Sequence, residues 1–112
     1  MANTLSDDAV VARIQAQARE ERVRVTVHAH QEMVEEGITM DELLQAACSA
    51  EVIENYPEHR RGPCCLLHGA TKDGRHLHIV CTTSLDVVVI ITVYEPRPPK
   101  WPSRRSGGEH EV

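Results

Sequence analysis

Phenylalanine is absent from this sequence, and one tryptophan and two tyrosines are its only large aromatics. A core must therefore be assembled from Val, Ile, Leu, Ala and Met. No apolar stretch approaches the roughly 20 residues needed to cross a bilayer as a helix, so no membrane partner is expected. The opening stretch MANTLSDDAVVARIQ has neither the basic nor the apolar segment of a secretory leader, which makes the cytoplasm the expected location. Four cysteines are present, two of them adjacent at Cys64 and Cys65, with no CxxC spacing. That pattern fits buried thiols in a reducing compartment, with at least one in the core, better than a disulfide framework or a zinc ribbon. Positive charge is missing between Arg24 and Arg60, a window that holds Glu32, Glu35, Glu36, Asp41, Glu42, Glu51, Glu54 and Glu58. From Arg60 onward eight basic residues face five acids, against a net charge of −5 for the chain. Such a surface repels a polyanion on one side and attracts it on the other.

At 112 residues the chain is expected to form one domain. Residues 6–20 read as a helix capped by Ser6, with Val11, Ile14 and Ala18 as its apolar stripe. VRVTV at 23–27 alternates as a strand does. Thr26 can cap a helix over 27–36, which Gly37 would end in a left-handed conformation. TMDE at 39–42 matches the capping box, and Met40, Leu43, Leu44 and Ala47 mark the buried side of a helix reaching about residue 50. Four strands follow, at 51–57, 63–71, 76–83 and 86–94. Asp73-Gly74 suggests a two-residue hairpin turn between the second and third. The near-continuous apolar run DVVVIITVY suggests a strand buried on both faces. Helices first and strands afterwards predict an α+β fold, with N-terminal helices packed on one face of a four- to five-stranded antiparallel sheet. The expected division is an N-terminal helical extension over 1–22, a main domain over 23–101 and a disordered tail over 102–112. Trp101 is expected to fold back over an apolar edge.

Histidine is the conspicuous polar residue, with seven copies. His28 falls in the first turn of the 27–36 helix, where it either braces the helix start or serves as a general base. Glu32, one turn on, can hold its ring. His76 and His78 lie two apart on a strand and so share a face with Val80 and Thr82, while Leu77, Ile79 and Cys81 take the other. His-x-His is also a two-ligand metal pair, which His28, Glu32 or Cys81 would have to complete. Arg75 precedes this pair, and Tyr94 ends the neighbouring strand. These groups read either as a polar cluster at one edge of the sheet or as ordinary packed strand residues.

Taken together, "HA…M…E.GI" at 28–38, "YP" at 56–57, "LLHGATKDGRHLHIV" at 66–80 and "IITVYEP…W" at 90–101 resemble a prokaryotic family of unknown function grouped with the RelE- and BrnT-like toxins. The resemblance covers about residues 24–101. Members commonly read H-A-x-x-R-M-x-E-R-G-I, G-R-x-L-H-V and I-I-T-V-Y-x-P, and this chain departs by carrying Glu32 and Glu36 where arginines are usual. The resemblance implies a RelE-like fold. It also implies a metal-independent endoribonuclease that acts on RNA, needs no cofactor and is restrained by an antitoxin protein. In that reading Arg75 steadies the phosphate, His28 or His78 moves the 2′-hydroxyl proton, and Tyr94 donates a hydrogen bond or stacks on a base. The two carboxylates oppose phosphate binding. They motivate a second reading, a catalytically silent protein-binding module that takes a partner, or a second copy, through a sheet edge. A metal-binding protein using His76 and His78 is the third.

Overall fold

The computed structural model describes residues 7–60, 62–83 and 86–97. Along the chain run α1 (Asp7–Arg19), β1 (Val23–Val25), α2 (Val27–Glu36), α3 (Met40–Cys48), β2 (Glu51–Tyr56), β3 (Cys64–Ala70), β4 (His76–Thr82) and β5 (Val88–Tyr94). Ser6, Trp101 and the proposed tail lie outside the described residues.

Side chains and one glycine set the helix boundaries. The Thr26 hydroxyl accepts the Ala29 amide at 3.0 Å and starts α2. Gly37 ends it at φ 64°, a conformation that a Cβ disfavours. Thr39 and Glu42 close a reciprocal box at the start of α3, each side chain accepting the other's backbone N–H at 3.0 and 2.9 Å. Two of the expected stripes shift by a position. In α1 the buried residues are Val10, Ile14, Gln17 and Ala18, so Val10 takes the place expected of Val11. In α3 they are Leu43, Ala46 and Ala47, while Met40 stands 41% exposed. A first-turn residue projects back toward the helix start, which leaves Met40 outside the buried stripe. α3 also ends at Cys48, short of the expected position near 50.

The sheet has the order β1-β5-β4-β3-β2. Strands β2 to β5 form an antiparallel meander, as their short connections require. β1 joins β5 in parallel, pairing Val23 with Val88 and Val25 with Ile90, so the complete five-stranded sheet is mixed. The helices and the core occupy one side of it. Cys65, Leu67, Leu77, Ile79, Cys81, Val88, Ile90 and Val93 meet Val10, Ile14, Ala29, Met33, Leu43 and Ala47 there. Among the described residues no helix is long and apolar enough to cross a membrane.

Two local irregularities decide which side chains share a face. Thr71 and Arg75 pair across the β3–β4 connection, with the Thr71 amide on the Arg75 carbonyl at 2.8 Å. The loop therefore holds the three residues 72–74, with Gly74 at φ 87°, in place of the expected two-residue turn. In β5, Cys81 pairs with Ile90 but Val80 pairs with Thr92, which leaves Ile91 as a bulge. The bulge turns Val88, Ile90 and Val93 to the core and leaves Val89, Ile91, Thr92 and Tyr94 half-buried. β5 is thus fully buried on one face only, contrary to the reading of its apolar run. Cys64 and Cys65 are both buried.

Gly69 is where α3 comes closest to the sheet. A Cβ built there would stand 2.0 Å from the carbonyl oxygen of Ala46. Backbone cannot rotate out of the way as a side chain can, so α3 would have to lift. Gly69→Ala is expected to destabilise the protein by about 3 kcal/mol in urea unfolding. Trimming Ala46 to glycine should not rescue it, because the clash is with the carbonyl group.

Candidate functional site

Glu32 and Glu36 are built into the seam between α2 and β5. β1 stops after three residues, and the N–H groups of β5 beyond it need other acceptors. Glu32 Oε1 accepts the Val93 amide at 3.0 Å, and Glu36 Oε1 accepts the Glu95 amide at 2.8 Å. The spacing explains the choice. Four residues of helix rise about 6 Å, and two residues of strand advance about 6.7 Å. Carboxylates at i and i+4 therefore stand opposite alternate amides. Arginine cannot accept a hydrogen bond, so a cation at either position could not make this contact.

Arg75 closes the next junction. Its Nη1 donates to the Gly37 carbonyl at 2.9 Å and to Glu42 at 3.1 Å, its Nε donates to Glu95 at 3.0 Å, and its Nη2 donates to the Glu36 carbonyl. The two carbonyls are the acceptors exposed at the end of α2. One planar guanidinium thus ties α2, α3, β4 and the residue after β5 together. The Thr39 amide, and then Arg75, hold the Glu42 carboxyl below its ordinary range.

The opposite face of the sheet holds the imidazoles. His78 is 7% exposed, and its Nδ1 lies 3.0 Å from the Tyr94 hydroxyl. His68 is its register partner on β3. His68 Nε2 faces His76 Nδ1 at 2.8 Å, and His68 Nδ1 lies 4.0 Å from Glu51. Burial, followed by the neighbouring His68 and His76, lowers the His78 pKa to about 4. Burial and His76 lower that of His68. Burial and Glu32 raise that of Tyr94. Neutral rings are what this face favours.

The four expected site residues fall into three separate settings. His78 and Tyr94 touch. His28 stands on α2 with its side chain 65% exposed, 3.4 Å from Glu32. Arg75 alternates with His76 along β4 and is bonded on the helix side. Among the described residues, no group of three or more His, Cys, Asp or Glu side chains could hold a metal ion. Sequence reasoning missed His68. A two-residue turn at Asp73-Gly74 would have placed it on the other face, and only the three-residue loop brings it beside His78.

These features define an α+β domain with a carboxylate-sealed helix–strand seam and a histidine cluster on the face opposite its described helices. Residues 25–95 match the model of the family described as "Domain of unknown function (DUF4258)", and the chain belongs to that family. No curated protein matches it, and no solved structure does.

Two measurements probe these settings. In amide exchange, Val93 and Glu95 should be protected in the wild type. Glu32→Ala should release the first and Glu36→Ala the second, each at about 1–2 kcal/mol of stability. The second measurement follows His78. Its folded pKa of about 4 lies below the ordinary 6.5. Its contribution is therefore complete above pH 6.5 and is lost as pH falls toward 4. At most about 3 kcal/mol is involved. Urea unfolding across that range in metal-free buffer should show a shallower acid slope for His78→Gln than for the wild type.

Proposed function

We propose that this chain is a protein-binding module on a RelE/BrnT-like scaffold and does not cut RNA. The observation that carries the reading is the use of Arg75. Cleavage of a phosphodiester needs a cation held at the phosphate, beside the group that moves the proton. Four of the five guanidinium N–H groups of Arg75 are bonded to Glu36, Gly37, Glu42 and Glu95. Its side chain also lies across the sheet from His78 and Tyr94. The carboxylates of Glu32 and Glu36 stand where the resembling motif carries cations.

The edge of the sheet supplies the docking surface. β2 is a six-residue edge strand bulged near Ile53, with Glu51, Ile53 and Glu54 exposed. Ile53 is 43% exposed. Bulges and charges discourage indiscriminate edge pairing, and acids discourage a second copy of the same strand. An extended basic segment satisfies both the backbone edge and the carboxylates. A basic antitoxin-like protein is the partner class.

Purified untagged protein added to cell-free translation should leave messenger RNA intact when its ends are mapped by primer extension. Cleavage by the wild type that disappears in a folded His28→Ala/His78→Ala variant would overturn the reading in favour of an endoribonuclease. A synthetic peptide alternating Lys and Val should shift the β2 amide resonances in a salt-sensitive way, and its Glu/Val counterpart should not. Unchanged β2 resonances with both peptides would remove strand addition as the binding mode.

A further inference from the structure

Two side chains of the core carry chemistry that packing alone does not use. Cys65 on β3 and Cys81 on β4 are register partners, both fully buried on the helix side of the sheet. The register between these strands runs without a shift from Cys64 and Thr82 to Ala70 and His76. Just beyond its two ends, the Thr83 amide donates to the Pro63 carbonyl at 3.2 Å and the Thr71 amide to the Arg75 carbonyl at 2.8 Å. Those bonds fix the phase of the ladder, in which every second pair is hydrogen-bonded. Cys65 and Cys81 form such a pair, two residues in from Pro63 and Thr83. Their Cα atoms therefore stand about 5.5 Å apart, inside the range of roughly 4.4–6.8 Å that a disulfide spans. In the reduced state the two thiols already hydrogen-bond to each other.

The two sulfurs are not equivalent. The hydrogen bond from Cys81 holds the Cys65 thiol below its ordinary range, against the opposing effect of burial. The same bond, followed by burial, pushes the Cys81 thiol well above its ordinary range. Cys65 is thus favoured as the thiolate, the form that attacks, and Cys81 stays protonated beside it. Asp7 acts on Cys65 electrostatically, which places the first turn of α1 near that thiol. A helix end opens more readily than the centre of a sheet, so a small solute reaches Cys65 there without global unfolding. The other cysteines are turned elsewhere. Cys64 precedes Cys65 on the strand and takes the opposite face, and Cys48 ends α3.

We propose that Cys65 and Cys81 are a reversible redox pair that closes into a cross-strand disulfide when a small hydroperoxide reaches the core. The Cys65 thiolate attacks one oxygen of hydrogen peroxide. The O–O bond breaks, and the departing hydroxide takes up the proton that Cys65 has lost, giving water and a sulfenic acid at Cys65. The Cys81 sulfur then attacks the Cys65 sulfur. The S–O bond breaks, and the hydroxyl leaves with the Cys81 proton as a second water. Two electrons pass from the thiols to the peroxide. A dithiol reverses the step by exchange and is itself oxidised. The bridge fastens β3 to β4, two interior strands of the sheet. It needs neither the exposed β2 acids nor the imidazoles, so it stands or falls apart from the proposed binding function.

The test treats the full reduced chain with hydrogen peroxide under native conditions and then blocks the remaining thiols with iodoacetamide in denaturant. Two of the four cysteines should escape alkylation. Tryptic mapping should join the peptide that holds Cys65 to the one that holds Cys81, at about two mass units below the sum of the separate peptides. Cys64→Ala should still bridge, which separates Cys65 from its neighbour on the same peptide. In Cys81→Ala, dimedone should trap a sulfenic acid at Cys65, whereas Cys65→Ala should give no adduct at Cys81. Dithiothreitol should restore all four thiols of the wild type. The two trapping variants are read only if circular dichroism shows them folded, and the wild-type map keeps the test independent of that outcome. Four alkylated cysteines after peroxide would overturn the proposal. So would a bridge that forms only within the urea unfolding transition, a bridge through Cys64 or Cys48, or trapping at Cys81 in place of Cys65.

Discussion

The outer edge of β5 has to be satisfied after β1 ends, and much of the architecture follows from how that is done. A three-residue parallel strand covers only the first part of the edge. The Thr26 amide then reaches the Ile90 carbonyl at 3.1 Å, and the chain turns into α2. From there Glu32 and Glu36 take the place of a strand, presenting carboxylate oxygens where a neighbour's carbonyls would be. Hydrogen bonds to an ionised acceptor are stronger than neutral ones. The helix is thereby fixed in both position and rotation against the sheet. Ala29 and Met33 are held toward the core, and His28 is held toward solvent.

That seam also fixes what Arg75 can do. α2 is pinned along β5, so its last carbonyls arrive at the beginning of β4, where Arg75 is the nearest multiple donor. Glu42, placed by the capping box, and Glu95, placed by the seam, complete its partners. A guanidinium bonded in this way is well suited to joining four elements and poorly suited to receiving a phosphate. The proposed docking of a partner therefore falls on the acidic β2 edge, away from this junction.

The elements themselves were legible because their signals are local. Thr26, Gly37 and the Thr39/Glu42 box mark helix ends through short-range geometry, and the helices begin and end at them. The alternation of His76, Leu77, His78 and Ile79 correctly assigned faces within β4. Errors arose where a pattern did not report its own phase. The residues VVVII at 87–91 are apolar throughout, so nothing in them betrays a bulge at Ile91. A stripe of small residues in α3 left the buried side ambiguous between Met40 and Ala46.

Sequence alone therefore determined the α+β class, the order and approximate ends of the elements, the sharing of a face by His76 and His78, and the acidic character of the middle third. Tertiary structure decided three things. It set the register between β3 and β4, where one extra loop residue turns His68 to the side of His78. It set the parallel placement of β1, which depends on contacts more than sixty residues apart. It also assigned Glu32, Glu36 and Arg75 to hold elements together. A side chain's chemistry can be read from its identity, but its partners are fixed only when distant segments meet.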